Sequence, residues 1–120
     1  MTFFKVYKMN NKQTLKMNYE FKNVLEKGKY FVSSQIIIYI LETNNNYNRF
    51  GIAISSKICK AVGRNKLKRL IREAYNKMVF SNDKFYDIVI LWNKKTDYNE
   101  ASFNIIYDNM KEIFRKAGII

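Results

Sequence analysis

Residues 36–41 read Ile-Ile-Ile-Tyr-Ile-Leu, with a bulky apolar side chain at every position. Successive side chains of a strand point to opposite faces, so Ile36, Ile38 and Ile40 share one face and Ile37, Tyr39 and Leu41 the other. Such a strand cannot lie on a wetted sheet surface, because both faces need cover. The β pattern extends from about Tyr30 to Glu42, and the rest of the chain has to supply that cover.

Three segments have the helical spacing to do so. Asn18 is placed to cap a short helix over Tyr19 to Lys27, with Glu20 in its first turn, Phe21, Val24 and Leu25 on one face, and Gly28 to end it. A second helix is predicted over Gly63 to Met78, where Leu67, Leu70, Ile71, Ala74, Tyr75 and Met78 form one apolar stripe. A third opens near Asn99 and runs to Gly118, with Phe103, Ile106, Tyr107, Met110, Ile113, Phe114 and Ala117 on its inner side. Between these, the Asn-rich stretch Thr43 to Asn48 reads as a hairpin turn into a strand from Arg49 to Ser55. That strand is bulky on one face (Phe50, Ile52, Ile54) and small on the other (Gly51, Ala53, Ser55). A loop at Ser81-Asn82-Asp83 precedes a last strand from Phe85 to Trp92.

The order is that of an α+β sheet with helices packed on it, and 120 residues suit a single domain. One apolar face of the central strand goes under helices. The other, with Tyr39 beside the small Gly51, Ala53 and Ser55, is left either to the first helix or to a groove. A groove of that kind suits an unpaired nucleic-acid strand, whose bases stack on rings, while Phe21 and Tyr39 read equally well as core.

Charge favours a polyanion partner. The chain carries 22 Lys and Arg against 10 Asp and Glu, net +12. Residues 57–72 hold seven of the cations, Lys57, Lys60, Arg64, Lys66, Lys68, Arg69 and Arg72, and no acid, whereas residues 73–120 are neutral. On the second helix Arg64, Asn65, Lys68, Arg69 and Arg72 fall on the arc opposite the apolar stripe. Like charges at i,i+4 repel, and a purely structural surface helix mixes signs. This face therefore reads as a nucleic-acid contact.

The absences are as informative. Without His there is no imidazole base, no His-activated nucleophile and no His metal ligand. The one cysteine, Cys59, reads as a packing residue and suits a reducing compartment. Lysines interrupt the N-terminal apolar residues, and no stretch approaches a membrane span, so a cytoplasmic protein without membrane attachment is expected.

Ile58-Cys59-Lys60-Ala61-Val62-Gly63-Arg64-Asn65-Lys66-Leu67-Lys68-Arg69-Leu70-Ile71-Arg72 resembles the signature of the bacterial ribonuclease P protein component: Ala, two spacers, Arg-Asn-basic, aliphatic, basic-Arg, a spacer, aliphatic, basic. Leu15-Lys16 before Phe21, Gly28, Phe50-Gly51, Ser55-Ser56-Lys57 and the last amphipathic helix also fall in the family's order. Residues 1–13 look like an N-terminal extension, and residues 14–120 like one RNA-binding domain.

The resemblance implies an αβββαβα sandwich with a left-handed βαβ crossover, against the right-handed default. It implies the protein subunit of a ribonucleoprotein endonuclease that removes the 5′ leader from precursor tRNA. On that basis Arg64, Asn65, Lys66, Lys68, Arg69 and Arg72 face the catalytic RNA, and Phe21, Leu25, Tyr39, Ser55 and Lys57 line or edge a groove for the leader. The resemblance further implies that catalysis belongs to the RNA with Mg²⁺, that the protein has neither catalytic nor metal-binding residues, and that its partners are the RNA and precursor tRNA, with no obligatory protein partner.

The sequence departs from the family pattern at Cys59, where Gly is usual, and at Lys66, which replaces an Arg and loses its bidentate fork. Leu25 stands where a ring can occur, and Asn93 where a basic residue often follows the last strand. Two other classes share parts of the pattern. A small ribosomal-type RNA-binding module needs the basic helix without the groove, and a protein resting on anionic membrane needs its apolar helix faces exposed.

Overall fold

The computed structural model describes residues 14–80 and 83–120, and the expected extension over 1–13 lies outside them. Helix α1 (Asn18–Lys27) is followed by strands β1 (Lys29–Val32), β2 (Ile36–Thr43) and β3 (Arg49–Ala53). Helix α2 (Ala61–Asn76), strand β4 (Phe85–Trp92), a 3₁₀ turn (Tyr98–Glu100) and helix α3 (Phe103–Lys116) complete an αβββαβα, α+β chain. The sheet order is β1-β2-β4-β3, with β2 antiparallel to both β1 and β4 and β3 parallel to β4.

Two expectations about the sheet are corrected. The single strand from Tyr30 to Glu42 is two strands, because the chain turns at Ser33-Ser34-Gln35. Ser33 N–H donates to the Ile36 carbonyl (3.0 Å), and the pairing then sets Tyr30 opposite Tyr39 and Phe31 opposite Ile38. Nor is Thr43 to Asn48 a hairpin, since β4 lies between β2 and β3. Tyr86 to Ile90 are all buried, and a strand apolar on both faces is better covered at the centre of a sheet than at its edge.

Helix boundaries also move. The residue bounding α1 is Met17 rather than Asn18, and Glu20 reaches back so that Oε1 accepts from the backbone N–H groups of Lys16 (2.8 Å) and Met17 (2.9 Å). Helix α2 starts two residues earlier than expected and stops at Asn76, while α3 starts at Phe103, capped by the Ser102 hydroxyl. At its far end Gly118 takes φ +77°. There the Ile119 N–H reaches the Phe114 carbonyl (2.9 Å) and the Gly118 N–H that of Arg115 (3.1 Å), a Schellman stop whose Ile119 is buried.

Two apolar layers result. Ile36, Ile38, Ile40, Ile88 and Ile90 pack under α2 and α3, against Leu67, Ile71, Ile106, Met110 and Phe114. Each fully buried side chain of this size contributes about 1.5–3 kcal/mol. On the other face α1 and the segment before it cover part of the sheet, with Val24 and Leu15 against Val89, and Phe21, Tyr39 and Leu41 lie at the margin. Gly51 makes this approach possible, since a Cβ there would stand 2.4 Å from Phe21 Cζ.

Arg49 fastens the same helix electrostatically. Its Nε and Nη2 donate to the two oxygens of Asp87 (2.9 and 2.7 Å), and its Nη1 donates to Glu20 Oε2 (2.8 Å). The Asp87 hydrogen bond is the chief reason that the guanidinium is held well above its ordinary pKa.

Candidate nucleic-acid interface

Helix α2 forms because Leu67, Ile71, Ala74 and Tyr75 recur at i, i+4, i+7 and i+8 and all are buried. Tyr75 stacks on Phe50 (4.0 Å between centroids), and burial pushes its phenol far above the usual tyrosine range. With Leu67 1% and Ile71 0% exposed and Leu70 half-buried, the stripe faces the core and offers a membrane nothing to insert. No helix among the described residues is long and apolar enough to cross a membrane.

The opposite side of α2 is the cationic one. Asn65, Lys66, Arg69 and Arg72 are exposed, and Arg64 and Lys68 are half-buried. Among the described residues none of the seven cations of 57–72 makes an ion pair with a carboxylate. Arg64 has a structural tie as well, its Nη1 donating to the Cys59 carbonyl (2.7 Å) and bracing the turn into the helix. No acid occupies the first turn, so the positive end of the helix dipole lies among Lys57, Lys60 and Arg64. The arrangement raises the energy of the free protein, and an anion placed against it would lower that energy. Val62, also on this exposed end, is 83% exposed; sequence reasoning passed over it because an aliphatic residue carries no charge signal.

Where α1 ends its cover, the sheet opens into a groove of about 750 Å³. Its floor is Ile37, Tyr39, Ala53 and Leu91. The segment after β3 lines it with Ser55, Lys57 and Ile58, and the segment after β4 with Lys94, Thr96, Asp97 and Tyr98. The two options left by the sequence for this face are both realised, at different ends of it. Tyr39 stacks on Tyr30 (5.5 Å, 28°), a residue 63% exposed, so an aromatic surface continues from the groove onto β1. The Ser55 hydroxyl accepts from the Lys57 N–H (3.1 Å), which fixes the lysine's backbone at the rim.

Of the sequence-derived groove residues, Tyr39, Ser55 and Lys57 meet in the groove, whereas Phe21 and Leu25 lie outside its lining on α1. Phe21 is packed onto Gly51 and Leu25 is 37% exposed. Lys94 and Tyr98 were not foreseen. The pair Lys94-Lys95 just after the last strand was the available signal for the first, and nothing local marks Tyr98. The structure seats Tyr98 beside Gly63, where a Cβ would come within 3.3 Å of its ring. The groove and the N-terminus of α2 therefore meet at this tyrosine.

The sequence profile of the family described as Ribonuclease P matches residues 9–118. The chain is 34% identical over 111 residues to the ribonuclease P protein component of Clostridioides difficile, covering 92% of this chain and 96% of that one. It is also 34% identical to that of Clostridium kluyveri, covering 88% and 94%. The solved RNase P proteins of Staphylococcus aureus (TM-score 0.73, 25% identity, 89% and 96% covered) and Thermotoga maritima (TM-score 0.72, 25% identity, 86% and 96% covered) have the same fold.

Proposed function

Because the chain belongs to the ribonuclease P protein family, we propose that it binds the catalytic RNA of ribonuclease P through the cationic face of α2 and the 5′ leader of precursor tRNA in the groove. The observation that carries the reading is the pairing of two different surfaces: an uncompensated row of cations on a rigid helix, and beside it an apolar, ring-bearing groove rimmed by Lys57 and Lys94. Duplex backbone is held by charge, and single-stranded bases by stacking. A ribosomal-type module needs only the first surface.

In this reading Arg69, Arg72, Lys66 and Asn65 reach phosphates and sugars of the folded RNA, with Arg64 and Lys68 supporting them. The leader runs over Tyr39, with Lys57 and Lys94 on its phosphates. Holding the leader favours precursor over product, and differential binding of that kind aids turnover where uniform binding does not.

The described residues offer Mg²⁺ no fitting donor set: no three His, Cys, Asp or Glu side chains cluster among them, and the neighbouring Glu20 and Asp87 are both engaged by Arg49. The reading accordingly leaves metal and bond cleavage to the RNA subunit, and the protein positions and neutralises in the cytoplasm where tRNA is made. Adding the purified chain, with no other protein, to its cognate ribonuclease P RNA at low Mg²⁺ tests this. Stimulated cleavage of precursor tRNA is expected; no stimulation refutes the proposal.

A further inference from the structure

The floor of the groove is sheet and therefore rigid, but its far wall, residues 93–98, is loop until Tyr98. A loop ordered only on binding would lose affinity to conformational entropy. This one is ordered beforehand by a knot of hydrogen bonds centred on Asn93. The Asn93 N–H donates to the Gln35 carbonyl (2.8 Å) and its Nδ2 to the Ser33 carbonyl (2.8 Å). Its Oδ1 accepts from the Lys95 N–H (3.1 Å), and its carbonyl from the Thr96 N–H (2.9 Å). The Thr96 hydroxyl donates to the Ser34 carbonyl, and the Thr96 carbonyl accepts from Trp92 Nε1 (2.8 Å). Beneath them Gln35, 3% exposed, spans to α3 and the turn before it: Nε2 donates to the Glu100 carbonyl (2.8 Å), Oε1 accepts from the Ser102 N–H (3.3 Å), and its own N–H donates to Asn109 Oδ1 (3.0 Å).

Both polar atoms of the Asn93 amide are thus bound to backbone, and the loop they hold presents Lys94 and Tyr98 to the groove. Resting on the function proposed above, we propose that Asn93 is a positioning residue: backed by Gln35, it holds the 93–98 loop as a preformed wall against which the single-stranded leader binds. At the place where the family often has a basic residue, this chain carries the holder, and the cation that lines the groove is its neighbour Lys94.

The test compares wild type with Asn93→Ala and Asn93→Asp in holoenzyme reconstituted with the RNA subunit, measuring affinity for precursor tRNA, mature tRNA and the RNA subunit itself. Asn93→Asp keeps the side chain's shape and the oxygen for Lys95 N–H while losing the donor to Ser33, and, compared at raised salt where its added charge is screened, it decides the matter if the alanine variant does not fold. The preference for precursor over mature tRNA falls about five- to tenfold in Asn93→Asp, the factor that one lost hydrogen bond corresponds to, and at least as far in Asn93→Ala, which loses both side-chain bonds. Affinity for the RNA subunit stays within about twofold, which a general loss of structure would not permit. Trp92 is the only tryptophan, and its emission shifts to the red in the variants as the Thr96 tie loosens.

An unchanged precursor preference overturns the proposal, as does a proportionate loss of all three affinities. Wild-type holoenzyme without any precursor preference would instead overturn the proposed leader role of the groove, and this inference with it.

Discussion

Replacing Arg49 by methionine is expected to remove a large part of the stability of this domain, although its side chain is 21% exposed. The cost follows from its partner. Asp87 is 4% exposed at the side chain, and both of its oxygens are bound by Arg49 at 2.9 and 2.7 Å. Without the guanidinium a buried carboxylate is left uncompensated, which costs about 3–5 kcal/mol, against about 5–15 kcal/mol for a whole domain. The bond to Glu20 at 2.8 Å adds to this by fastening α1 across the sheet. At a urea slope of about 2 kcal/mol per M, a loss of about 4 kcal/mol lowers the unfolding midpoint by about 2 M. Arg49→Met/Asp87→Leu is expected to recover most of the loss, because an apolar pair removes the stranded charge. Urea titrations of the single and double variants measure both values. A single-variant cost below about 1 kcal/mol, the range of an exposed pair, would refute the reasoning, as would single-variant costs that simply add in the double variant.

Other expected outcomes concern the two RNA surfaces and acid stability. Arg69→Ala, at an exposed position of α2, lowers the log-log salt slope of RNA-subunit binding by about 0.7–0.9 per lost phosphate contact, and an unchanged slope would remove Arg69 from the interface. Tyr39→Ala spares RNA-subunit affinity and weakens precursor tRNA by about 1–3 kcal/mol if one base stacks there; equal weakening of mature tRNA would return Tyr39 to a purely structural role. The Glu20 carboxyl is held below its ordinary value near 4.5, first by the Met17 and Lys16 N–H groups and then by Arg49. Its folded pKa being the lower one, its contribution is complete above about pH 4.5 and is lost as pH falls through the folded value. Glu20→Gln therefore flattens the acid limb of stability against pH, and an unaltered limb in urea titrations at pH 3 to 6 would show that Glu20 is not its source.

Much of this architecture was legible in the pattern of side chains alone. Helical periodicity located α2 and α3 to within a few residues, because burial of a single stripe needs that spacing and no other. The double-faced apolar run of β2 required a covered sheet, and the motif from Ala61 to Arg72 placed the cations on the outer side of a docked helix. Less legible was the turn at Ser33-Ser34-Gln35, since β-forming residues continue on either side of it.

Local pattern determined which faces are apolar and which are charged, since these depend only on the order of residues along each element. Partner choice was decided in three dimensions. That β4 separates β2 from β3, that Arg49 meets Asp87 and Glu20 across 38 and 29 positions, and that Gly51 admits the Phe21 ring are contacts between distant segments, which local periodicity does not encode. The groove is of the same kind. Its floor could be anticipated as an apolar face in search of cover, but its extent depends on where α1 stops covering the sheet, and its far wall on a loop held by Asn93 and Gln35 through backbone carbonyls that no side-chain pattern records.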